Sequence, residues 1–175
     1  MVENKTKKAS ESKAKNGTKK PDQEQGLAIN AQYVRDLSFE NPNPIENLVN
    51  QEEDTTSTVK VEVGGQHLTE QSFEVNLKIQ AKVERAKKTV YLIELDYAGV
   101  FTLSGFPEDV TRLVLFVECP RLLFPFARAI IARVTQESGF PPLLLKPIDF
   151  ADLLRQRLEE EGQGSSKDES KKTKH

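Results

Sequence analysis

No tryptophan occurs in this chain, cysteine and methionine occur once each, and histidine twice. The single cysteine, Cys119, can form neither an internal disulfide nor a cysteine metal cluster, which suits a reducing compartment and a packed thiol. His67 is the one histidine in the body of the chain and His175 is its last residue, so a histidine-based triad or metal centre has no material to work with. Glycine-rich phosphate loops are missing too: Gly64 and Gly65 are followed by neither the lysine nor the helix such a loop needs. No apolar run approaches the ~20 residues of a membrane-spanning helix, and the first residues lack the apolar centre of a secretory signal. The expectation is a cytoplasmic protein that uses no cofactor or metal, has no catalytic residues and is not inserted in a membrane. Acidic pairs such as Glu108 and Asp109 are better explained by a helix N-terminus than by acid–base catalysis.

Basic residues are also scarce where a nucleic-acid surface would need them. Residues 1–25 carry seven lysines against four acids, residues 26–158 carry 14 basic against 18 acidic, and residues 159–175 carry four lysines against five acids. The body is therefore acidic, and nucleic acid is not an expected partner. With little to bury, residues 1–28 read as a disordered lysine-rich tail, 29–158 as one domain, and 159–175 as a second disordered tail.

Within that domain the apolar residues first repeat every second position. Tyr33, Leu37 and Phe39 share one register, with Asp36, Ser38 and Glu40 on the other, until ENPNP stops the strand. Val59, Val61 and Val63 make a second strand that Gly64 and Gly65 are expected to turn. Phe73, Val75, Leu77, Ile79, Ala81 and Val83 form the longest alternation, and Tyr91, Ile93, Leu95 and Tyr97 the fourth, running to a bend at Gly99 with Val100 to Leu103 as a continuation beyond it. After Gly105 the period lengthens to that of a helix. Val110, Leu113, Val114 and Val117 form one stripe; Leu123, Phe126, Ala127, Ile130, Ile131 and Val134 form another, with Pro120 and Pro125 expected to interrupt or kink the path. Gly139 suits a helix end and Asp149 an N-cap, leading to a short final helix with Phe150, Leu153, Leu154 and Leu158 on one face. Strands followed by helices predict an α+β fold, a four-stranded antiparallel sheet with C-terminal helices packed on one face.

Between the last two helices lies GFPPLLLKPIDF, residues 139–150. Its three prolines forbid a continuous helix, yet six of its side chains are large and apolar, so an irregular segment near water offers core-type residues to something else. Two apolar helical stripes and this connector exceed what one face of a four-stranded sheet can cover. The surplus predicts oligomerisation or an apolar ligand.

RDLSFENPNP, ELDYAGVFTLSG, ECPRLLFPFARAIIARV and GFPPLLLKPIDFADL together resemble the successive signature segments of SecB, the bacterial protein-export chaperone family, from about Tyr33 to Leu158. The lysine-rich first segment lies outside the resemblance. Membership would imply a homotetramer, a dimer of dimers, that binds unfolded precursor proteins without ATP and passes them to the SecA motor. The resemblance implies a SecA contact at Asp36, Ser38, Glu40, Leu92 and Glu94, and a client groove at Tyr91, Phe126, Phe140, Leu143, Leu145 and Phe150. A non-catalytic adaptor for one folded partner is the alternative. An enzyme of the hotdog type would place its helix between strands, whereas here every expected helix follows the sheet.

Overall fold

Alternation over strands this long commits one face of each to a core, and the fold follows from where the covering helices can return. In the computed structural model, residues 25–49 and 54–169 are described. Four antiparallel strands, β1 (Gly26–Glu40), β2 (Thr55–Thr69), β3 (Ser72–Arg85) and β4 (Lys88–Ser104), form a sheet in the order β1-β4-β3-β2. The α+β expectation and the strand count hold. Gly26 to Ala28, assigned from the sequence to the first tail, already belong to β1; residues 1–24 of that tail lie outside the described residues.

Val75, Leu77, Ile79, Ala81 and Val83 of β3 and Tyr91, Ile93, Leu95, Tyr97, Phe101 and Leu103 of β4 are buried on the face that meets the helices. β3 and β4 join through Ala86 and Lys87, both at positive φ, as a right-twisted two-residue hairpin requires. β4 passes through Gly99 without stopping there. A Cβ on Gly99 would lie 2.8 Å from Leu123 Cδ2, so glycine serves the close approach of the long helix.

Three sequence expectations need correction. Gly64 and Gly65 do not turn β2, which runs on to Thr69; a Cβ on Gly64 would fall 2.3 Å from Asn76 Oδ1, so the site is one of crowding across the strands. Tyr33 does not share a face with Leu37 and Phe39. The register shifts between Val34 and Asp36, leaving Arg35 without a partner, and this bulge turns Tyr33 to the outer face, where its hydroxyl donates to Glu74. Finally, the prolines do not break the helix. Helix α2 (Glu108–Leu113), a π-helical turn (Val114–Glu118) and helix α3 (Cys119–Glu137) run on as one rod. The wide turn directly precedes Pro120, where it accommodates the ring and the missing N–H.

A six-residue helix, α1 (Pro44–Val49), follows β1 where the sequence suggested only a stop. Asn47 fixes it by donating to the Val90 carbonyl at 2.9 Å and to Asn41 Oδ1 at 3.0 Å. α3 lays Leu123, Phe124, Ala127 and Ile131 on the sheet. Gly139, at φ 87°, ends it as expected. Asp149 caps the last helix, α4 (Phe150–Glu169), accepting from the Ala151 and Asp152 amides at 3.0 and 3.1 Å. α4 is longer than its apolar stripe, which closes at Leu158. Among the described residues no helix is long and apolar enough to cross a membrane.

Candidate functional site

The connector between Gly139 and Phe150 has no regular hydrogen-bond ladder, so something else must hold it. Thr135, fully buried near the end of α3, does so. Its hydroxyl donates toward the Ile131 carbonyl at 3.0 Å and accepts from the Leu143 amide at 3.0 Å, while its own carbonyl accepts from the Phe140 amide at 3.1 Å. The residue stands four positions after Ile131 and eight after Ala127. A hydroxyl on the buried register was the signal in the sequence, and it was missed. Thr135→Val keeps the shape and orphans the Leu143 amide, so unfolding free energy should fall by about 1–3 kcal/mol in urea titrations. Thr135→Ser, which keeps the hydroxyl, should lose clearly less.

Thus pinned, the connector lays Phe140 against Tyr91, ring centroids 4.9 Å apart, and both rings meet Phe39 at 6.3 and 5.4 Å. Burial raises the Tyr91 hydroxyl above its ordinary pKa, so the ring stays neutral at physiological pH. Farther along, Leu145 is buried, and Phe150 packs edge-on against Phe124 at 6.0 Å. The sequence placed these side chains near water. In the structure Tyr91, Phe140, Leu145 and Phe150 belong to the core, Leu143 is half-buried, and Leu144, which had not been singled out, is 63% exposed. Phe126 stands apart from the connector. It is 51% exposed, its ring 6.5 Å from that of Tyr97. With Leu122 of α3 and Val34 and Leu37 of β1 it leaves apolar surface in water, whereas Ile131 is buried and Ile130 half-buried.

A different chemistry occupies the outer face of the sheet. The β1–β4 register sets Glu40 opposite Leu92, Ser38 opposite Glu94 and Asp36 opposite Asp96, so all five residues of the expected SecA contact form one patch across two neighbouring strands. Asp36 and Asp96 face each other as like charges. Arg35, thrown onto this face by the bulge, offsets them, with Nε 3.8 Å from Asp96 and Nη1 3.6 Å from Glu74. Asn76 also donates to Asp96 at 2.7 Å, and Gln80 donates to Glu94. Tyr33, held to Glu74, keeps its proton above the usual tyrosine range because the phenol donates to that carboxylate. Neither Arg35 nor Tyr33 was expected on this surface, since strict alternation cannot foresee a bulge.

No catalytic constellation accompanies these surfaces among the described residues. No group of three or more histidine, cysteine or acidic side chains could hold a metal there. Cys119 is buried and its thiol is pushed up to about 12, chiefly by loss of solvent, so it is not a nucleophile near neutral pH.

The family model described as preprotein translocase subunit SecB matches residues 20–161, which span the whole sheet, the helical rod, the connector and the first turns of α4. The chain belongs to the SecB family. It is 47% identical over 133 residues to the protein-export protein SecB of Bradyrhizobium diazoefficiens, covering 76% of this chain and 83% of that protein. With the protein-export protein SecB of Mesorhizobium japonicum it is 44% identical over 154 residues, covering 88% and 92%. Among solved structures it resembles the SecB-like chaperone Rv1957 of Mycobacterium tuberculosis, in complex with a ChAD peptide from the Rv1956 HigA1 antitoxin. The TM-score is 0.55 at 15% identity, over 70% of this chain and 90% of that one. At that identity the likeness speaks for the SecB fold alone. The family segments quoted from the sequence thus coincide with the two surfaces described above: RDLSFE and ELDYAG build the acidic patch, and GFPPLLLKPIDF is the segment that Thr135 pins.

Proposed function

We propose that this protein is a protein-export chaperone that holds unfolded precursor chains in the cytoplasm, without ATP, and delivers them to SecA. The observation that carries the reading is the apolar connector, fixed by one threonine and continued into exposed Leu144, in a member of the SecB family. A client groove would have Tyr91, Phe140, Leu145 and Phe150 as its floor, with Leu143, Leu144 and Phe126 as the side chains a client meets first. An unfolded chain offers apolar groups in no fixed order, and irregular apolar walls accept many orders. Prolines 141, 142 and 147 restrict the connector backbone in advance, which lowers the ordering cost of each encounter.

The exposed stripe of Leu122 and Phe126 on α3, with Val34 and Leu37 beside it on β1, supports assembly into a homotetramer, a dimer of dimers. The acidic patch on the opposite side of the sheet supports the SecA contact, with Asp36, Glu40 and Glu94 attracting a basic partner, Ser38 between them and Leu92 as a small apolar anchor. Holding and handover then use different faces, so a loaded chaperone can still meet its motor. Native mass spectrometry tests the assembly and the client together. A tetramer that gains the mass of one unfolded polypeptide is expected; a monomer that ignores unfolded chains would overturn the proposal.

A further inference from the structure

The outer face of the sheet is divided by charge. Asp36, Glu40, Glu94 and Asp96 outnumber Arg35 on the β1–β4 half, whereas on the β2–β3 half Lys60, Lys78 and Lys82 are balanced by Glu62, Glu74 and Glu84. A shallow depression of about 340 Å³ runs between Asp36, Glu94 and Asp96 on one side and Lys60, Glu62 and Lys78 on the other. The chain itself carries a segment of matching charge. Residues 4–20 hold seven lysines and a single acid, Glu11, and all but the last of these residues lie ahead of the family match at 20–161.

We infer that the lysine-rich segment Lys5–Lys13 docks on the acidic half of the outer face, over Asp36, Glu40 and Glu94. Reach decides which lysines can span the whole patch, and Lys15, at about 39 Å, passes Asp36 but not Glu40. β1 starts at Gly26, so Asp36 and Glu40 lie ten and fourteen residues along the strand, roughly 33 and 46 Å away at ~3.3 Å per residue. A chain extends at most about 3.5 Å per residue. Lys19 and Lys20, seven and six residues from Gly26, therefore stop short of Asp36 at about 25 and 21 Å, while Lys5, Lys7 and Lys8 reach past Glu40 and Lys13 spans about 46 Å. The β2–β3 half, where three lysines balance three glutamates, offers the segment no net attraction. Docking leaves the client surface free, because the connector lies on the helix side. Resting on the SecA reading of the same patch, it also makes the segment a competitor of SecA, a brake that weakens as salt rises.

Zero-length carbodiimide cross-linking of the full chain at low ionic strength, read by peptide mass spectrometry, tests the docking directly. Lys5, Lys7, Lys8 or Lys13 should join to Asp36, Glu40 or Glu94, and these links should fade in about 0.5 M salt. Links spread evenly over carboxylates of α4 and both sheet halves, or links from Lys19 and Lys20 alone, would overturn it, as would a tail that joins only to carriers such as anionic vesicles. Competition is read separately. Replacing Lys5, Lys7 and Lys8 with Gln should tighten SecA binding about threefold at low salt, and Lys19→Gln with Lys20→Gln should not. Cross-links at the patch without any change in SecA affinity would uphold the docking and reject the SecA assignment.

Discussion

Phe150→Ala is expected to lower the stability of the subunit by about 3–5 kcal/mol, the cost of emptying a fully buried aromatic site. Phe150 is 1% exposed, sits against the Phe124 ring at 6.0 Å, and follows the Asp149 cap, so it joins the end of the connector, the start of α4 and the long helix at one point. Urea unfolding at fixed protein concentration should show the midpoint falling with little change in slope. Phe126→Ala provides the contrast. That ring is half in water, so the same truncation should cost far less in subunit stability and act instead on assembly or client holding. Equal losses for the two variants would contradict the division into core and accessible residues.

Removing two acids from the outer face should act on partnership and leave the fold alone. Asp36→Ala with Glu94→Ala is expected to weaken SecA binding roughly tenfold at low ionic strength, with the difference shrinking as salt screens the remaining charge. Folding should hardly change. Asp36 faces Asp96 across the strands, so its loss removes a repulsion, and Glu94 gives up only its bond from Gln80. Client holding should also persist, since both positions lie on the side of the sheet away from the connector. Unchanged SecA affinity at low salt would reject the assignment, and lost client holding would mean that the faces had been confused.

The sheet was legible because β3 and β4 keep a strict period of two over strands too long to be chance, and each apolar member of those runs except the half-buried Phe73 is buried. β1 was legible only in part. One unpartnered residue, Arg35, reverses the side chains from Ala31 to Val34, until a second shift at Asn30 restores the register, and no local pattern announces such bulges. The acidic patch survived because all three of its β1 members follow the bulge. The helical rod was misread at Pro120 because the rule that proline interrupts a helix assumes uniform α geometry, and the π-helical turn relaxes that geometry where the ring falls. Gly64 and Gly65 looked like a turn because glycine permits one, but their neighbours across the strand and on the rod, Asn76 and Phe116, supply the constraint, and these are far away in sequence.

The connector divided along similar lines. Its composition marked it as special, but composition does not say which of its side chains point inward. Thr135 makes that choice by fixing the Leu143 amide, and so buries Phe140 and Leu145 while Leu144 is left outside.

The central claim, that this surface holds unfolded chains irrespective of their sequence, is tested most directly by light scattering. Two unrelated proteins, each diluted from denaturant into buffer without nucleotide, should both stay soluble when the protein is present at near-equimolar tetramer, and both should aggregate when it is absent. Aggregation of both at the same rate with and without the protein, or rescue of one alone through a folded surface, would contradict the account.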